Sequence, residues 1–495
     1  MNSRLFWWNT QLLFAFFLQK ENTILRMVKH ISVKDARVNN LKNISVNIPT
    51  KSLVAVVGKS GSGKSSLVYE VLYAASQGKK VVAKVSGLPK TFVVPQRIVV
   101  LPKMSLGETN WKYLRDAAKA IKKNELLIVD EPCAGLAHKE RIEVLALLRE
   151  LVKQGVSVIV VEHNKDIIAG ADYVIEFGPE SGSRGGDVIF AGTLTAYRKA
   201  KTPTSKYVFS KLAEAVDYCR APNDRALKMK KRELTIKEIT KNSLKNYSLT
   251  IPLSNLVCLS GPSGSGKSTL LSVVYGALFK GRNAWKLRAG FKDIVGKVNV
   301  RRSYFVDQRP LSGTPTSTPA TYIGAWDTIR TVYASLPESK RAKLKKSAFS
   351  FNTKEGKNKT SAVSKIRFCG LSIDDLLKTT VEDAIVLFAD YPLVQRKLGF
   401  LAEVGLGYLP LGQCSGTLSG GEAQRVKLAK VLSKKLGDRC IYILDTPSRG
   451  LHLSDLPVLV KVFQKIIDKN NTVLIADNRE ELMVNCDKVI ELGCK

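Results

Sequence analysis

Acidic residues are scarce in this chain, and so are paired cysteines and long apolar runs; each shortage narrows what it can be. Only 43 Asp and Glu stand against 78 Lys and Arg, a formal net charge of +35 with an isoelectric point near 9.8. That imbalance favours a polyanionic partner, either nucleic acid or an acidic membrane surface. The eight cysteines (Cys133, Cys219, Cys258, Cys369, Cys414, Cys440, Cys486 and Cys494) stand singly. With no CxxC pair there is neither a zinc ribbon nor a disulfide framework to expect, and reduced, cytoplasmic thiols are the default. The longest early apolar run, Leu12–Leu18, is too short to span a bilayer and is followed by Gln19-Lys20-Glu21-Asn22 rather than a cleavage site. Residues 1–26 therefore read as an extension, with Met27 a candidate start for the strand pattern after it. No segment is expected to insert into a membrane directly. Aromatics make up 7% of the chain, and none is obviously placed to stack on a nucleobase.

What is present is a duplication. Leu41-Lys42-Asn43-Ile44-Ser45-Val46-Asn47-Ile48-Pro49 recurs as Leu244-Lys245-Asn246-Tyr247-Ser248-Leu249-Thr250-Ile251-Pro252. Each copy runs into an apolar strand, a Gly-rich loop and an amphipathic helix, and strands alternate with helices beyond. The expectation is an α/β protein of two tandem units with largely parallel sheets. The first unit spans 27–198 and the second 233–495, the latter with a helical insertion at about 290–415. Between them, 199–232 is a basic linker broken by Pro203 and Pro222.

The two loops carry the chemistry. Gly58-Lys59-Ser60-Gly61-Ser62-Gly63-Lys64-Ser65 and Gly261-Pro262-Ser263-Gly264-Ser265-Gly266-Lys267-Ser268 both satisfy GxxxxGK[ST] between a strand and a helix. Glycines free the backbone N–H groups to cradle phosphates, and the following helix N-terminus adds its dipole. Lys64 and Lys267 reach the β- and γ-phosphates, while Ser65 and Ser268 hold Mg²⁺. Two apolar strands ending in acid follow, Leu126–Asp130 before Glu131 and Ile441–Asp445 before Thr446, with Asp130 and Asp445 as further Mg²⁺ ligands. ATP with Mg²⁺ is the expected ligand pair.

Leu418-Ser419-Gly420-Gly421-Glu422, followed by Ala423-Gln424-Arg425, resembles the ABC signature. Ala36–Asn43, Thr318–Gly324, Phe349-Ser350-Phe351-Asn352, Val404–Tyr408 and Gly450-Leu451-His452 are similar to stretches of the UvrA-like excinuclease ATPases, which scan DNA in nucleotide excision repair. The resemblance runs from about Val28 to Gly493. It implies that Gln96 and Gln308 are Q-loop residues and His163 a switch histidine. The interval from Lys64 to Asp130 is much shorter than that from Lys267 to Asp445, so the UvrB-binding and insertion modules that UvrA carries in the first interval are missing. No UvrB partner is expected. Asn358 and Ser361 occupy what resemble zinc-cysteine positions, so no zinc is expected either.

In the ABC class each ATP is enclosed by the phosphate loop of one unit and the signature of the other. Site one would combine Lys64, Ser65, Gln96, Asp130, Glu131 and His163 with Ser419, Gly420, Gly421 and Glu422, all intact. Site two would combine Lys267, Ser268, Gln308 and Asp445 with the altered signature Met104-Ser105-Leu106-Gly107-Glu108. It has Thr446 in place of the glutamate and Asn478 in place of the histidine. The expectation is an ATPase that hydrolyses mainly at site one. Basic residues crowding the insertion (Lys340, Arg341, Lys343, Lys345, Lys346, Lys354, Lys357, Lys359, Lys365 and Arg367) favour duplex DNA as partner, read without sequence preference in repair or in self-protection against a DNA-binding antibiotic. A ribosome-associated twin cassette and the ATPase of an exporter remain alternatives, and a homodimer stays open.

Overall fold

A computed structural model describes residues 29–96, 101, 104–210, 232–279, 290–309, 311, 316–351, 361–434 and 437–493. The extension 1–26, most of 211–232 and Asn358 lie outside the described residues.

Near-continuous apolar runs such as Leu53–Gly58 and Leu126–Asp130 are buried along their whole length, as strands covered by helices on both faces must be. In the first unit β1 (His30–Ala36), β2 (Ile44–Pro49) and β4 (Lys84–Ser86) form a small antiparallel sheet. The main sheet takes β3 (Leu53–Gly58), β5 (Thr91–Val94), β6 (Leu126–Asp130), β7 (Ser157–Val161), β8 (Tyr173–Gly178) and β9 (Asp187–Thr193), in the order β5-β6-β7-β3-β8-β9. Every pair in it is parallel except β8–β9.

The second unit repeats the plan. β10 (Glu233–Lys241), β11 (Leu244–Pro252) and β13 (Asp293–Val295) form the antiparallel sheet. β12 (Leu256–Ser260), β14 (Arg302–Val306), β15 (Cys440–Asp445), β16 (Thr472–Ala476) and β17 (Lys488–Glu491) form a wholly parallel one, ordered β14-β15-β16-β12-β17. Apart from the antiparallel edge strand β9 the orders match, so the sequence duplication is a duplication of fold. The phosphate loops leave the C-terminal ends of the equivalent strands β3 and β12, the edge at which open α/β sheets bind ligands.

Between β14 and β15 the second unit inserts short helices over Pro319–Glu403 and then the signature helix Gly420–Leu432. Their core of Trp326, Tyr333, Phe349, Phe388 and Leu398 is continuous with one face of the main sheet, which makes the insertion a rigid extension. Between β5 and β6 the first unit has a single helix among the described residues, Leu106–Ala120.

Two local expectations change. The segment after the first phosphate loop, Ser66–Tyr73, is wound in wider π-helical turns, whereas its counterpart Lys267–Leu278 is an ordinary α-helix. Pro203 does not break a linker: it opens the helix Pro203–Phe209, with Thr202 as N-cap accepting from Ser205 N. Proline suits that first helical position because its missing N–H would have no partner there. Val208 of this helix is buried in the first unit's core.

Candidate nucleotide site between the two units

The first phosphate loop wraps Lys64, whose Nζ donates to Gly58 O and Lys59 O, both at 2.7 Å. Burial brings this ammonium down to about 8, against the pull of Glu131 and Asp130. Asp130 is raised to about 7 by burial and by Glu131 beside it. The hydroxyl of Tyr69 works the other way, donating to Asp130 Oδ2 at 2.8 Å. Glu131 is likewise raised by burial, opposed by the nearby Arg449 charge and by a hydrogen bond from Gln96. Its Oε2 is buried with no hydrogen-bond partner. Ser65, after the lysine, is exposed.

His163 lies behind these groups, buried and with an unpartnered Nδ1. Burial and the adjacent Lys64 hold it well below the usual histidine range, so it is neutral. Its ring meets His452 of the second unit edge-on at 5.9 Å.

The signature of the second unit reaches this loop through Tyr408. Ser419 caps the helix Gly420–Leu432: its side chain accepts from Glu422 N, and Glu422 accepts from Ser419 N at 2.7 Å. This capping box aims the helix N-terminus, with its positive dipole, at the neighbouring unit. Glu422 also accepts from the Tyr408 hydroxyl, and the Tyr408 ring lies so close to Gly61 that a Cβ there would clash with it. Ser60 Oγ donates across the same boundary to Gly450 O at 2.8 Å. Gln96, Asp130, Glu131 and His163 are thus brought together beside Gly58, Gly61, Gly63, Lys64 and Ser65, and the intact signature faces them.

The second loop, Gly261, Gly264 and Gly266 included, repeats the pattern with altered parts. Lys267 Nζ donates to Gly261 O and Pro262 O at 2.6 and 2.7 Å. Burial lowers its pKa and raises that of Asp445, the latter opposed by hydrogen bonds with Ser268, Gln308 and Thr446. Gln308 Nε2 donates to Thr446 Oγ1 at 2.8 Å. Asn478 accepts from Gly261 N at 3.0 Å and donates to Gly135 O of the first unit at 3.2 Å, so it is tied on both sides where His163 is not.

The altered signature of the first unit does face this loop. Ser105 Oγ lies 2.7 Å from Ser263 Oγ, and the Ser105–Glu108 capping box is complete despite Leu106. At Gly264 a Cβ would stand 2.6 Å from Glu108 Oε1. A cavity of about 80 Å³ is lined by the turns that follow β6 and β7 in one unit and β15 and β16 in the other, with Glu131, His163, Thr446 and Asn478 among its walls. Tyr69, Tyr408 and Arg449 were missed from sequence; Tyr408 sits within a UvrA-like stretch, but the other two carry no local signal.

The residues fit a nucleotide with its metal ion: lysines turned into glycine-lined loops, a seryl hydroxyl after each, and buried carboxylates at adjoining strand ends are a donor set for phosphate and Mg²⁺. The family described as ABC transporter matches residues 244–312. UvrABC system protein A of Clostridium acetobutylicum is 37% identical over 401 residues, covering 74% of this chain and 42% of the relative. The protein of the same name in Staphylococcus epidermidis is 37% identical over 402 residues, with the same coverages. The chain thus spans well under half the length of these curated relatives. UvrA2 from Deinococcus radiodurans superposes with a TM-score of 0.82 at 20% identity, over 94% of this chain and 95% of that one. A ribosome-bound archaeal Pelota and ABCE1 structure reaches 0.51 at 16% identity, with 93% and 76% covered. With signature and this degree of identity in agreement, the chain is homologous to UvrABC system protein A over 74% of its length.

Proposed function

We propose that the chain is a DNA-binding ATPase of the UvrA-like kind, with one hydrolysing site and one holding site. The observation that carries this reading is that Tyr408, bonded to Glu422, packs on Gly61 and so brings the Ser419–Glu422 signature to the Gly58–Ser65 loop, beside Gln96, Glu131 and His163. Mg²⁺ would be held by Ser65 and Asp130 at site one and by Ser268 and Asp445 at site two. When bound, the ion neutralises charge on the β- and γ-phosphates. Glu131 takes a proton from the water that attacks the γ-phosphorus. The bond from that phosphorus to the bridging oxygen breaks, and ADP and phosphate leave. Gln96 holds the Glu131 carboxylate, and neutral His163 stands ready to accept a hydrogen bond on its free Nδ1 or donate from it, according to tautomer.

At site two Thr446 has no basic group, and Asn478 is engaged by backbone on both sides. That supports a site that binds and staples the units. In Glu131→Gln, turnover should fall by roughly 10²-fold or more, while Thr446→Ala stays within about twofold of the parent. Equal rates for the two variants in a steady-state phosphate-release assay would remove the asymmetry from this reading.

The partner favoured is duplex DNA. Lys340, Arg341, Lys343 and Lys345 are exposed on one short stretch of the insertion, where phosphate contacts would bind without reading bases. The short interval between β5 and β6, filled by the helix Leu106–Ala120, supports a protein that acts without UvrB.

A further inference from the structure

Arg449 is carried by the second unit but points its charge into site one. Its Nη2 donates to the carbonyl of Gln96 across the boundary at 3.1 Å. Its Nε is buried and makes no hydrogen bond. The Cζ lies 3.1 Å from where a side chain would begin on Gly420, so the guanidinium covers the N-terminus of the signature helix. The turn that bears it is fastened to the first phosphate loop by the Ser60–Gly450 hydrogen bond, and Gly450 in turn stands 3.1 Å, measured from a built Cβ, from Glu131 Oε1. Glu131, Asp130 and Asp445 are the charges that hold Arg449 protonated against the effect of burial.

A buried guanidinium N–H and a buried carboxylate oxygen, both unpartnered and on either side of one boundary, are costly to maintain. A terminal phosphate and its attacking water would complete both, because phosphate oxygens accept from Nε and the water donates to Glu131 Oε2. The corresponding position of the first unit is Ala134, so site two receives no such cation.

We propose that Arg449 is a further substrate-contacting residue of site one, a cation supplied by the second unit that binds the terminal phosphate of a nucleoside triphosphate held on the Gly58–Ser65 loop. The proposal rests on the nucleotide reading above and adds the residue that distinguishes triphosphate from diphosphate. A planar fork suits that task better than an ammonium, since it can donate to two phosphate oxygens at once.

The test uses the full chain with Mg²⁺. Arg449→Ala should lower steady-state ATP hydrolysis by roughly 10²-fold or more, since arginines in this role are worth that much or greater. In the Glu131→Gln background, calorimetric titration of Arg449→Ala should show weakened ATP binding at one of two sites and unchanged ADP binding. Added guanidinium should restore part of the rate to Arg449→Ala, and Arg449→Lys should fall between the two. A merely structural arginine would weaken ATP and ADP alike and show no rescue, which overturns the proposal, as does hydrolysis at the parental rate. A parent that neither binds nor hydrolyses ATP would instead sink the nucleotide reading and this proposal with it.

Discussion

Glu131 and Thr446 share a backbone as well as a position. Their φ angles are +50° and +52°, in the left-handed region that side-chain-bearing residues seldom enter and β-branched ones still less. Strain of this kind persists where the surroundings over-determine it, and here the adjoining strands and the opposite unit do so. Thr446 therefore keeps the same distorted turn as Glu131 without its carboxylate. The histidines pose a second question at this scale. His452 Nδ1 accepts from Ser454 N at 3.2 Å, which leaves its proton on Nε2 to donate to Thr204 Oγ1 at 2.9 Å. Thr204 Oγ1 donates onward to the buried Glu176 at 2.5 Å. Burial, with Lys64 and Arg479 nearby, holds His452 well below the usual range, so the folded protein keeps it neutral. As pH falls below about 6.5 the unfolded chain takes up a proton that the folded one refuses, and stability drops; above that pH nothing is lost. Because the raised carboxyl of Asp130 takes up its proton over the same range and acts in the opposite sense, the His452 contribution is read as the difference between parent and variant melts from about pH 7.5 to 5.5. In His452→Asn the melting temperature should start lower but decline less, and an equally steep decline would assign the acid sensitivity to other groups.

Among the elements, the two signature helices show which parts of a motif are structural. Ser and Glu are retained in both, and in both they close the same capping box, worth on the order of 1 kcal/mol to the helix start. Leu106 alters the facing surface without disturbing the cap, so the first signature still meets the Ser263 loop. The insertion in the second unit presents the basic stretch at the end of the short helix Pro337–Arg341 and in the turn that follows it. Charge there is exposed, not spent: Lys346 pairs with Asp327 at 2.7 Å, while Arg341 only approaches Glu338 at 4.0 Å. Replacing Lys340, Arg341, Lys343 and Lys345 together by Ala should weaken duplex binding regardless of sequence. The log–log salt slope should become shallower by about 0.9 for each residue that touches a phosphate. ATP hydrolysis without DNA should persist. An unchanged slope in fluorescence anisotropy would move the DNA surface elsewhere.

For the molecule as a whole, the arrangement is two units closed face to face. Ser60–Gly450, Ser105–Ser263 and Asn478–Gly135 join each loop to the other unit. Arg184–Glu382 at 2.7 Å and Lys165–Glu480 at 3.3 Å add ion pairs, which are worth little individually at an exposed surface. Contacts this polar leave room for ligand-dependent closure. In the Glu131→Gln protein, Mg–ATP at about 100 times its Kd should add roughly 2.7 kcal/mol per site to unfolding. The shift in melting temperature should exceed that with ADP and vanish in a Lys64→Ala, Lys267→Ala double variant. Equal shifts with ATP and ADP would mean that the third phosphate does not help close the units.

Much of this is legible in the sequence because it is local. A strand, a glycine loop and a lysine lie within a dozen residues of one another, so their relation survives in one dimension, and the duplication displays it twice. The losses at Leu106, Thr446 and Asn478 could be sorted onto one site once the ABC resemblance assigned loop and signature to opposite units. Only the folded chain decided the rest. Tyr69 reaches Asp130 from a helix whose π-wound turns no propensity announces, and Tyr408 and Arg449 act across a boundary on residues hundreds of positions away. Pro203 reads as a break until a cap and a core make it a helix start. Such contacts depend on how two sheets close against each other, and no pattern of neighbouring residues encodes a distance between surfaces that meet only after folding.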